Sequence, residues 1–447
     1  MLKLGVRRED KNEWERRVPL VPDNVKALAA QGVPVVVQPS KIRVFRDEEF
    51  TAAGATVQED LSGCDLVIGI KEFPEKAFRE GQSCMFFANV IKGQKQNMPM
   101  LRKMMELHCT LLDYEKVTDG EGRRLIFFGN FAGLAGMLET LHALGKRLEV
   151  EGTRTPFLGL KRPVKYRTLG EAKAALEVVG EWIASEGIPE ALSPMVFGFT
   201  GYGNVSKGAQ EIFDILPHER IAPEDLASFM RSTRFSRRKL YKVVFAETDM
   251  VAPAEKKGKF DLQDYYQNPG NYRGVFEQYL PHLTVLVNGI YWDARYPRLV
   301  TKKWVKEAWA GGKRPRLRVI GDISCDVEGS VEVTVKPTEP DRPCYVYSPA
   351  GGGTVDGYEG NGPVIMAVEI LPTEMPRESS MFFGETLMKF IPDIVKADLS
   401  KDFGELALPA PIKRSVILHK GALTPDYTYI AKFLDPQKPA GKGGSDG

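Results

Sequence analysis

The sequence predicts an α/β fold with two Rossmann-like, doubly wound parallel-sheet domains and a cleft between them. Three observations support this fold class. Short apolar runs alternate with helical patterns along the first 130 residues, as expected for a parallel sheet with helices on both faces. A second alternating region opens with a strand, a glycine turn and a helix. The length of 447 residues exceeds what one hydrophobic core usually serves.

The first domain is predicted to comprise residues 1–135 and about 366–435. Its opening segment "KLGVRRE" is a predicted strand, and "PDNVKALAAQG" is a predicted helix with Pro22 at its start and Gly32 at its end. Further strands are expected in "VPVVVQP", "DLVIGIK", "SCMFFAN", "CTLLDYE" and "RLIFFG", with a helix in "QNMPMLRKMMELH".

The remaining residues divide into a connection, a second domain and a tail. Residues 136–190 are a predicted helical connection, because apolar residues recur there at helical spacing. The second domain is predicted over 191–365, with an insertion at about 225–280, where charged, aromatic and turn-forming residues dominate. Residues 436–447 are rich in proline, glycine and lysine, which is typical of a flexible tail.

Composition narrows the class of partner. The chain carries 61 basic and 59 acidic residues, so its formal net charge of +2 gives no electrostatic case for nucleic acid or a membrane surface. No apolar stretch approaches the length of about 18 residues that a membrane span needs. The cysteines are scattered without a CxxC motif, so neither a metal site nor a disulfide framework is expected. We therefore expect a reduced, cytoplasmic protein that acts on small molecules.

The segment "MVFGFTGYGNVSKGAQEIF" favours dinucleotide binding. A strand is followed by Gly201 and Gly203, and then by a helix that begins near Asn204 and Val205. Glycines allow the backbone to approach a pyrophosphate, and a helix N-terminus offers free N–H groups and a positive dipole end. The third glycine of the usual GxGxxG pattern is replaced by Ser206, so the match is incomplete.

The expected cofactor is NADP, with NAD possible. A ribose-binding acid normally ends the next strand, but "HERIAP" ends without one, which removes the repulsion that would exclude a 2′-phosphate. A basic run from Arg231 to Lys239 could bind that phosphate, although such runs are more often solvated surface. Asn288, Asp322 and Ser324 end two later strands and are further candidates for the cofactor edge.

Polar residues also follow the strands of the first domain. A lysine beside a glutamate can hold or release a proton according to its burial, and arginines can bind substrate carboxylates through two hydrogen bonds. The candidate catalytic residues are Lys71, Glu72, Asn89 and Glu115, and the candidate substrate-binding residues are Arg17, Lys92, Arg123 and Arg124. Together with a nucleotide domain, they suggest hydride transfer to a small substrate that carries carboxylates and an ionisable nitrogen.

A family resemblance supports this interpretation. The ordered segments "GVRREDKNEWERRVPLVP", "GIKEFPE", "LLDYEK", "FFGNFAGLAGM", "FTGYGNVSKGAQEIF", "VLVNGIYW", "GDISCDVEGSVE" and "ILPTEMPRESSMFFG" span about residues 3–432. They resemble the lysine-ketoglutarate reductase domain of bifunctional aminoadipate semialdehyde synthases. More distantly, they are similar to lysine-forming saccharopine dehydrogenases and to the alanine dehydrogenase and transhydrogenase superfamily.

The resemblance implies reductive condensation of lysine with 2-oxoglutarate to saccharopine, with NADPH as reductant. It implies that Lys71 is an acid–base group, that Glu72 and Glu115 tune it, and that Arg17 binds a carboxylate. It also implies a possible homo-oligomer and a possible separate glutamate-forming saccharopine dehydrogenase that acts on the product.

One position departs from the family. Asn89 stands where the family carries a histidine, and asparagine cannot exchange a proton near neutral pH. Loss of an acid–base group costs on the order of 10²- to 10⁴-fold in rate. Two alternatives therefore remain beside the family reaction. One is a related imine reductase or amino-acid dehydrogenase with a different amine or oxo-acid, and the other is a non-catalytic nucleotide-binding module.

Overall fold

The computed structural model describes residues 1–255, 258–312 and 314–434, so the predicted tail at 436–447 lies outside the described residues. In chain order the strands are β1 (Leu4–Val6), β2 (Val35–Val37), β3 (Thr56–Val57), β4 (Leu66–Ile68), β5 (Ser83–Phe86), β6 (Thr110–Asp113), β7 (Val196–Thr200), β8 (His218–Arg220), β9 (Leu240–Phe245), β10 (Val251–Pro253), β11 (Tyr272–Gly274), β12 (Val285–Asn288), β13 (Val319–Asp322), β14 (Cys344–Tyr347), β15 (Thr354–Asp356), β16 (Val364–Met366), β17 (Val416–His419) and β18 (Ala422–Leu423).

The helices complete the two layers around these strands. They are α1 (Pro22–Ala30), α2 (Asp47–Ala52), α3 (Met98–Glu106), α4 (Gly129–Val150), α5 (Leu169–Glu186), α6 (Asn204–Phe213), α7 (Leu226–Arg231), α8 (Glu247–Met250), α9 (Leu262–Gln267), α10 (Lys302–Ala308), α11 (Pro376–Leu387), α12 (Ile391–Ile394), α13 (Ala410–Arg414) and α14 (Ala431–Leu434). None of the helices in the described ranges has the length and apolar character needed to span a membrane.

The chain forms two compact units. The first contains Met1–Phe127 and Pro376–Gly447, of which the structure describes residues up to 434. The second contains Phe128–Met375. The long helices α4 and α5, expected as a separate connection at 136–190, therefore belong to the second unit. The apolar faces of both helices pack into the core of this unit, so the helices do not form a separate connection.

The first unit is built on an eight-stranded sheet of order β18-β17-β6-β5-β4-β1-β2-β3. The neighbouring strands β6, β5, β4, β1, β2 and β3 are parallel, and β17 and β18 add an antiparallel edge. Strands β1, β2 and β4 are buried along their whole length, as expected for strands covered on both faces. The predicted α/β fold class is confirmed.

One predicted strand of the first unit is absent. In the segment "RLIFFG", residues 124–129, strand-like pairing is limited to an isolated bridge between Arg124 and Thr118 and a backbone bond from Leu125 to Val117, and Gly129 already begins α4. The sheet position beside β6 is taken by β17, which comes from the far end of the chain. Apolar character alone could not reveal this competition, because both segments contain a run of apolar residues.

The second unit has an eight-stranded sheet of order β15-β14-β16-β13-β12-β7-β9-β8. The neighbouring strands β8, β9, β7, β12, β13 and β16 are parallel, and β14 and β15 add an antiparallel edge. The expected insertion at 225–280 contains β9, which lies between β7 and β8 in this sheet. The true excursion is smaller and holds the two-stranded ribbon of β10 and β11.

Two glycines let α4 cross α6 at close range. A Cβ atom on Gly133 would lie 2.7 Å from the backbone nitrogen of Ala209 and would overlap the carbonyl oxygen of Val205. A Cβ atom on Gly208 would overlap the carbonyl oxygen of Asn130. The second unit therefore fixes the start of α6, which follows the glycine turn, by backbone-to-backbone packing.

Candidate active site

The turn after β4 is held by a buried carboxylate. Glu9 is 5% exposed, and its two oxygens accept hydrogen bonds from the backbone N–H groups of Ile70 at 2.6 Å and Lys71 at 3.1 Å. Glu9 follows β1, the strand that pairs with β4. The neighbouring strand end therefore fixes the backbone that carries Lys71.

Burial controls the ionisation of Glu9. Loss of hydration, followed by the nearby Glu15 carboxylate, raises the pKa of Glu9 to about 7, although the two N–H donors act in the opposite direction. Glu9 was not among the residues predicted from sequence. The strand-end rule that selected Lys71 would have found it, had the rule been applied to the residues after β1.

Lys71 is half-buried, and its pKa is lowered from the usual value of 10.5. Burial is the largest cause, and the Arg17 charge is the next, while the Glu15 carboxylate opposes both. Arg17 and Glu15 form a buried ion pair: Nε donates to Oε1 at 2.7 Å and Nη2 donates to Oε2 at 2.6 Å. Lys71 therefore lies in the field of a fixed charge pair, and its amine loses a proton more readily than an exposed lysine.

Glu72 is part of a hydrogen-bond cluster with Asn89. Its Oε1 accepts from Asn89 Nδ2 at 2.8 Å, and its Oε2 accepts from Lys11 Nζ at 2.8 Å. Asn97 Nδ2 donates to the Asn89 carbonyl at 3.0 Å and orients this segment. Burial opposes ionisation of Glu72, but the bonds from Lys11 and Asn89 lower its pKa overall. Asn89 thus acts as a donor to a carboxylate.

Glu115 lies beside Arg124 in a second polar pair. The Arg124 guanidinium donates to Glu115 Oε1, and the Glu115 side chain is 11% exposed. The backbone N–H of Glu115 donates to Asp113 Oδ1 at 2.8 Å. Burial raises the pKa of Asp113 to about 7; Arg124 lowers it and Glu72 raises it. Asp113 was missed at the sequence level, and it lies within the electrostatic range of both polar pairs.

Two predicted substrate-binding residues are not brought into these contacts. Lys92 is exposed, and its backbone N–H bonds to Gln94 Oε1 at 3.1 Å. Arg123 has a side chain that is 72% exposed, and its Nε donates to Asp119 Oδ2 at 2.7 Å within a surface hairpin. Arg123 precedes a segment that is not a strand, so the strand-end argument does not apply to it. The role of Lys92 remains a proposal.

The glycine turn of the second unit has the geometry that a dinucleotide needs. Gly201 follows β7 with φ +76°, a left-handed conformation that favours glycine. Gly203 caps α6 with extended backbone and without a side-chain hydrogen bond, and a Cβ atom on Gly203 would meet open space. The first N–H groups of α6, from Asn204 and Val205, lack a capping side chain. These residues fit a bound diphosphate.

Asn288 and Asp322 end β12 and β13, as predicted, but their side chains do not point to solvent. Both are buried, at 0% and 1% exposure. Asn288 Nδ2 donates to Asp322 Oδ1 and to Ser330 Oγ, each at 2.8 Å, and Asn288 Oδ1 accepts from Thr200 Oγ1 at 2.8 Å. This network joins the ends of β7, β12 and β13, so these side chains fix the strand ends beside the glycine turn. The Asn288 amide therefore donates both of its hydrogen bonds within the chain.

Ser324 also bonds within the chain. Its Oγ donates to the carbonyl oxygen of Ile290 at 2.5 Å. Ile290 Cγ2 would lie 3.0 Å from a Cβ atom on Gly201. Ser324 therefore fixes the loop that packs against the glycine turn.

An acid does end the strand next to β7. That strand is β9 and not β8, because β8 lies at the sheet edge. Glu247 follows β9, and its Oε1 accepts from Tyr202 Oη at 3.3 Å and from Tyr266 Oη at 2.7 Å. Tyr202 belongs to the glycine turn. Glu247 could not be identified from sequence order, because "HERIAP" is the next strand along the chain after β7 but is not its neighbour in the sheet.

The basic run is not positioned to bind the predicted 2′-phosphate. It precedes Leu240, where β9 begins, whereas the glycine turn lies at the opposite edge, beyond the carboxyl ends of β7 and β9. Its members are Arg231, Arg234, Arg237, Arg238 and Lys239. Two of the members have local partners: Arg237 Nε donates to the Ile188 carbonyl at 2.6 Å, and Lys239 pairs with Glu219 at 2.9 Å.

Comparison with known proteins agrees with this architecture. Residues 5–135 match the family model of the alanine dehydrogenase/PNT N-terminal domain. An alpha-aminoadipic semialdehyde synthase of Arabidopsis thaliana is 38% identical over 96% of the chain, and a mitochondrial one of Bos taurus is 34% identical over 98%. The match to this family model covers the N-terminal part of the chain. The resemblance predicted from the motifs is confirmed.

The chain covers only part of those relatives. It spans 41% of the Arabidopsis protein and 48% of the bovine one. A saccharopine dehydrogenase (NAD(+), L-lysine-forming) of Emericella nidulans is 26% identical. The match covers 86% of this chain and 90% of that protein.

Solved structures share the fold. An L-alanine dehydrogenase matches with a TM-score of 0.56 and 18% identity, over 97% of this chain and 100% of that chain. A transhydrogenase from Sinorhizobium meliloti matches with a TM-score of 0.52 and 13% identity, over 94% of this chain and 99% of that chain. At these identities, the likeness extends to the fold alone.

Proposed function

We propose that this chain is a nicotinamide-dependent reductase of the lysine-ketoglutarate reductase type. It condenses L-lysine with 2-oxoglutarate and reduces the imine to saccharopine. The observation that carries the proposal is the half-buried Lys71 amine, whose pKa is lowered by burial and by the fixed charge of Arg17. The named relatives, aminoadipic semialdehyde synthases and lysine-forming saccharopine dehydrogenases, support the choice of substrates.

The polar residues suggest a division of labour. Neutral Lys71 removes a proton from the substrate ammonium, so that the amine can attack the oxo carbon. The protonated lysine then gives a proton to the hydroxyl that leaves as water when the imine forms. Arg17 is the candidate for binding a substrate carboxylate, although its Nε and Nη2 also hold Glu15. A bound reduced nicotinamide would supply hydride to the imine carbon.

Asn89 changes the proton balance of this site. Its amide bonds to Glu72 as a donor but cannot carry a proton. The proposal therefore assigns proton transfer to Lys71 and water. Glu72 and Glu115 set the local negative charge, and the buried Glu9 positions the turn.

For the cofactor, we propose NAD(H) in place of the NADP(H) expected from sequence. Glu247 stands at the carboxyl end of β9, where a ribose acid is expected in this fold. Its carboxylate can accept hydrogen bonds from ribose hydroxyl groups and repels a 2′-phosphate. We expect a higher kcat/KM with NADH than with NADPH, and Glu247→Gln should shift the ratio toward NADPH. Higher kcat/KM with NADPH in the unaltered protein would contradict this preference.

The reaction itself is tested by Lys71→Met. We expect oxidation of the reduced nicotinamide with lysine and 2-oxoglutarate to fall by about 10²-fold or more, since a group that transfers protons is lost. Cofactor affinity, measured by fluorescence titration, should stay nearly constant. Lys76→Met is the matched control, because Lys76 is exposed in the loop after the same strand. An unchanged rate in Lys71→Met would defeat the assignment.

A second candidate keeps the chemistry and changes a substrate. The observation that favours it is Asn89, which would shape a different pocket beside Glu72. A panel of amines and oxo-acids separates the two: turnover with lysine alone supports the main proposal, and turnover only with other amines supports the second. Cofactor binding without any turnover would support a non-catalytic nucleotide-binding module. A cytoplasmic location, a homo-oligomer and a separate enzyme for the product remain predictions.

A further inference from the structure

A cavity of the second unit lies at the sheet edge opposite to the glycine turn. Arg318 directly precedes β13: its N–H donates to the Thr284 carbonyl at 2.8 Å, and its carbonyl accepts from Val364 N at 2.9 Å. Thr284 and Val364 stand at the amino ends of β12 and β16. Since these strands are parallel to β7, the cavity is remote from the dinucleotide edge.

The cavity has the size of a small-molecule site. Its volume is 290 Å³, and it is formed by the ends of α4 and α10 and by the loops before β13 and β16. Ligand sites in proteins start at about 300 Å³. Trp309, which is 6% exposed, contributes an apolar wall. The space suits a compact ligand with a few polar groups.

Two of its arginines share one carboxylate. Arg147 Nε donates to Glu151 Oε1 and Arg318 Nε donates to Glu151 Oε2, each at 2.7 Å. The Arg147 side chain is 8% exposed and the Arg318 side chain is 17% exposed. Arg147 Nη1 also donates to the Tyr358 carbonyl at 3.1 Å. One negative charge thus balances two positive charges whose positions are fixed before any ligand arrives.

A third arginine leaves the cavity positive. Arg314 is exposed on the lining, and it makes no hydrogen bond or ion pair with any residue that the structure describes. With Glu359, the lining holds three guanidinium groups and two carboxylates. The excess charge sits beside partly buried groups, where salt screens it less than on open surface.

We propose that this cavity binds a small anion that carries a carboxylate or phosphate group. Arg314 and the remaining N–H groups of Arg147 and Arg318 hold it. Guanidinium groups match both oxyanions because their donors lie in one plane and can form paired hydrogen bonds. The site is separate from the glycine turn, so the anion is a ligand in addition to the substrates of the proposed reaction.

Calorimetric titration of the full chain tests the site with two probes, inorganic phosphate and succinate. We expect at least one to bind with a Kd on the order of 1 mM or tighter. Which probe binds distinguishes a phosphate ligand from a carboxylate ligand. Arg314→Gln should weaken binding about tenfold, since it removes charge-assisted hydrogen bonds. Arg234 is also exposed and lies outside the cavity, so Arg234→Gln should leave the Kd unchanged.

A second variant works in the opposite direction. Glu151→Gln removes the carboxylate that balances Arg147 and Arg318, so we expect it to tighten anion binding about tenfold or less. Circular dichroism and thermal unfolding check that each variant is folded. Absence of binding by both probes to the unaltered chain would overturn the site. Equal affinity in the unaltered chain and Arg314→Gln would also overturn it.

Discussion

At the scale of single residues, the proton affinity of Lys71 depends on charges that neighbouring segments bring to it. Burial lowers its pKa most, and Arg17 and Lys11 add to this effect, while Glu15 and Glu72 oppose it. Positive and negative neighbours therefore act on the pKa of Lys71 in opposite directions. Removal of one charged neighbour should change that pKa measurably.

We predict that Lys11→Met raises the pKa of Lys71. The substitution removes a repelling charge and also releases Glu72, whose Oε2 accepts from Lys11 Nζ at 2.8 Å. The Lys11 side chain is 50% exposed, so folding should not suffer. In the pH dependence of kcat/KM, the ionisation assigned to Lys71 should move to higher pH. A shift to lower pH would contradict the assignment.

The Asn89 position provides a second test. Its φ of +51° lies in the left-handed region, which asparagine and histidine both adopt more readily than most residues. Asn89→His can therefore keep this backbone while it adds a group that titrates near neutral pH. We expect kcat with lysine and 2-oxoglutarate to be kept or to rise.

The pH profile and one control complete this test. Asn89→His should add an ionisation to the kcat/KM profile that the unaltered chain lacks. Asn89→Ala removes the bond to Glu72 without adding an ionisable group, so it should lower kcat. A fall in kcat for Asn89→His would indicate a site rebuilt for another substrate.

At the scale of elements, the crossing of α4 over α6 places the start of α6. Gly133 approaches the backbone of Val205 and Ala209 so closely that no side chain fits. Val205 is in the first turn of α6, next to the glycine turn. The contact of Gly133 with α6 therefore also determines where the glycine turn lies.

We predict that Gly133→Ala destabilises the protein by about 1–3 kcal/mol, because the added methyl group forces the helices apart. The KM for the cofactor should rise as well, since the Val205 backbone moves. Urea unfolding and initial-rate kinetics measure both effects. Gly170→Ala is the control in α5: its nearest neighbour would be Thr168 Oγ1 at 3.7 Å, so we expect no loss of stability. Unchanged stability in Gly133→Ala would contradict this packing argument.

At the scale of the whole molecule, buried carboxyl groups make stability depend on pH. Burial raises the pKa of Glu139 from 4.5 to about 7, against the opposing effect of Arg162. Burial and then the Glu139 charge also raise the pKa of Glu374. Arg162 Nε donates to Glu139 Oε1 at 2.8 Å, and Arg162 Nη2 lies 3.5 Å from Glu374 Oε1.

The sign of the effect follows from the raised pKa of Glu139. Between about pH 4.5 and pH 7, the folded protein keeps a proton that the unfolded chain has released, so unfolding releases protons. The free energy of unfolding should therefore fall as pH rises through this window. Glu139→Gln should flatten the fall, and the exposed Glu181→Gln should leave it unchanged. Urea unfolding at several pH values measures this; an equally steep fall in Glu139→Gln would refute the assignment.

Much of this architecture was predictable from sequence because it depends on local pattern. The strands around Leu66–Ile68 and the turn with Gly201 follow from apolar runs and glycine spacing. The hydrogen bond from the Lys71 backbone to Glu9 could not be predicted, because it depends on β1 and β4 being neighbours in the sheet. Glu247 was missed for the same reason: its role depends on which strand lies beside β7.

The sequence by itself determined the α/β class, the strand ends that carry Lys71 and Glu72, and the glycine turn before α6. Only the tertiary structure decided that β17, and not "RLIFFG", pairs with β6 and that Asn288 and Asp322 are buried in a network. Local pattern fixes which segments can be strands or helices. Pairing order and burial depend on competition among distant segments for the same positions, and that competition is resolved only when the whole chain packs.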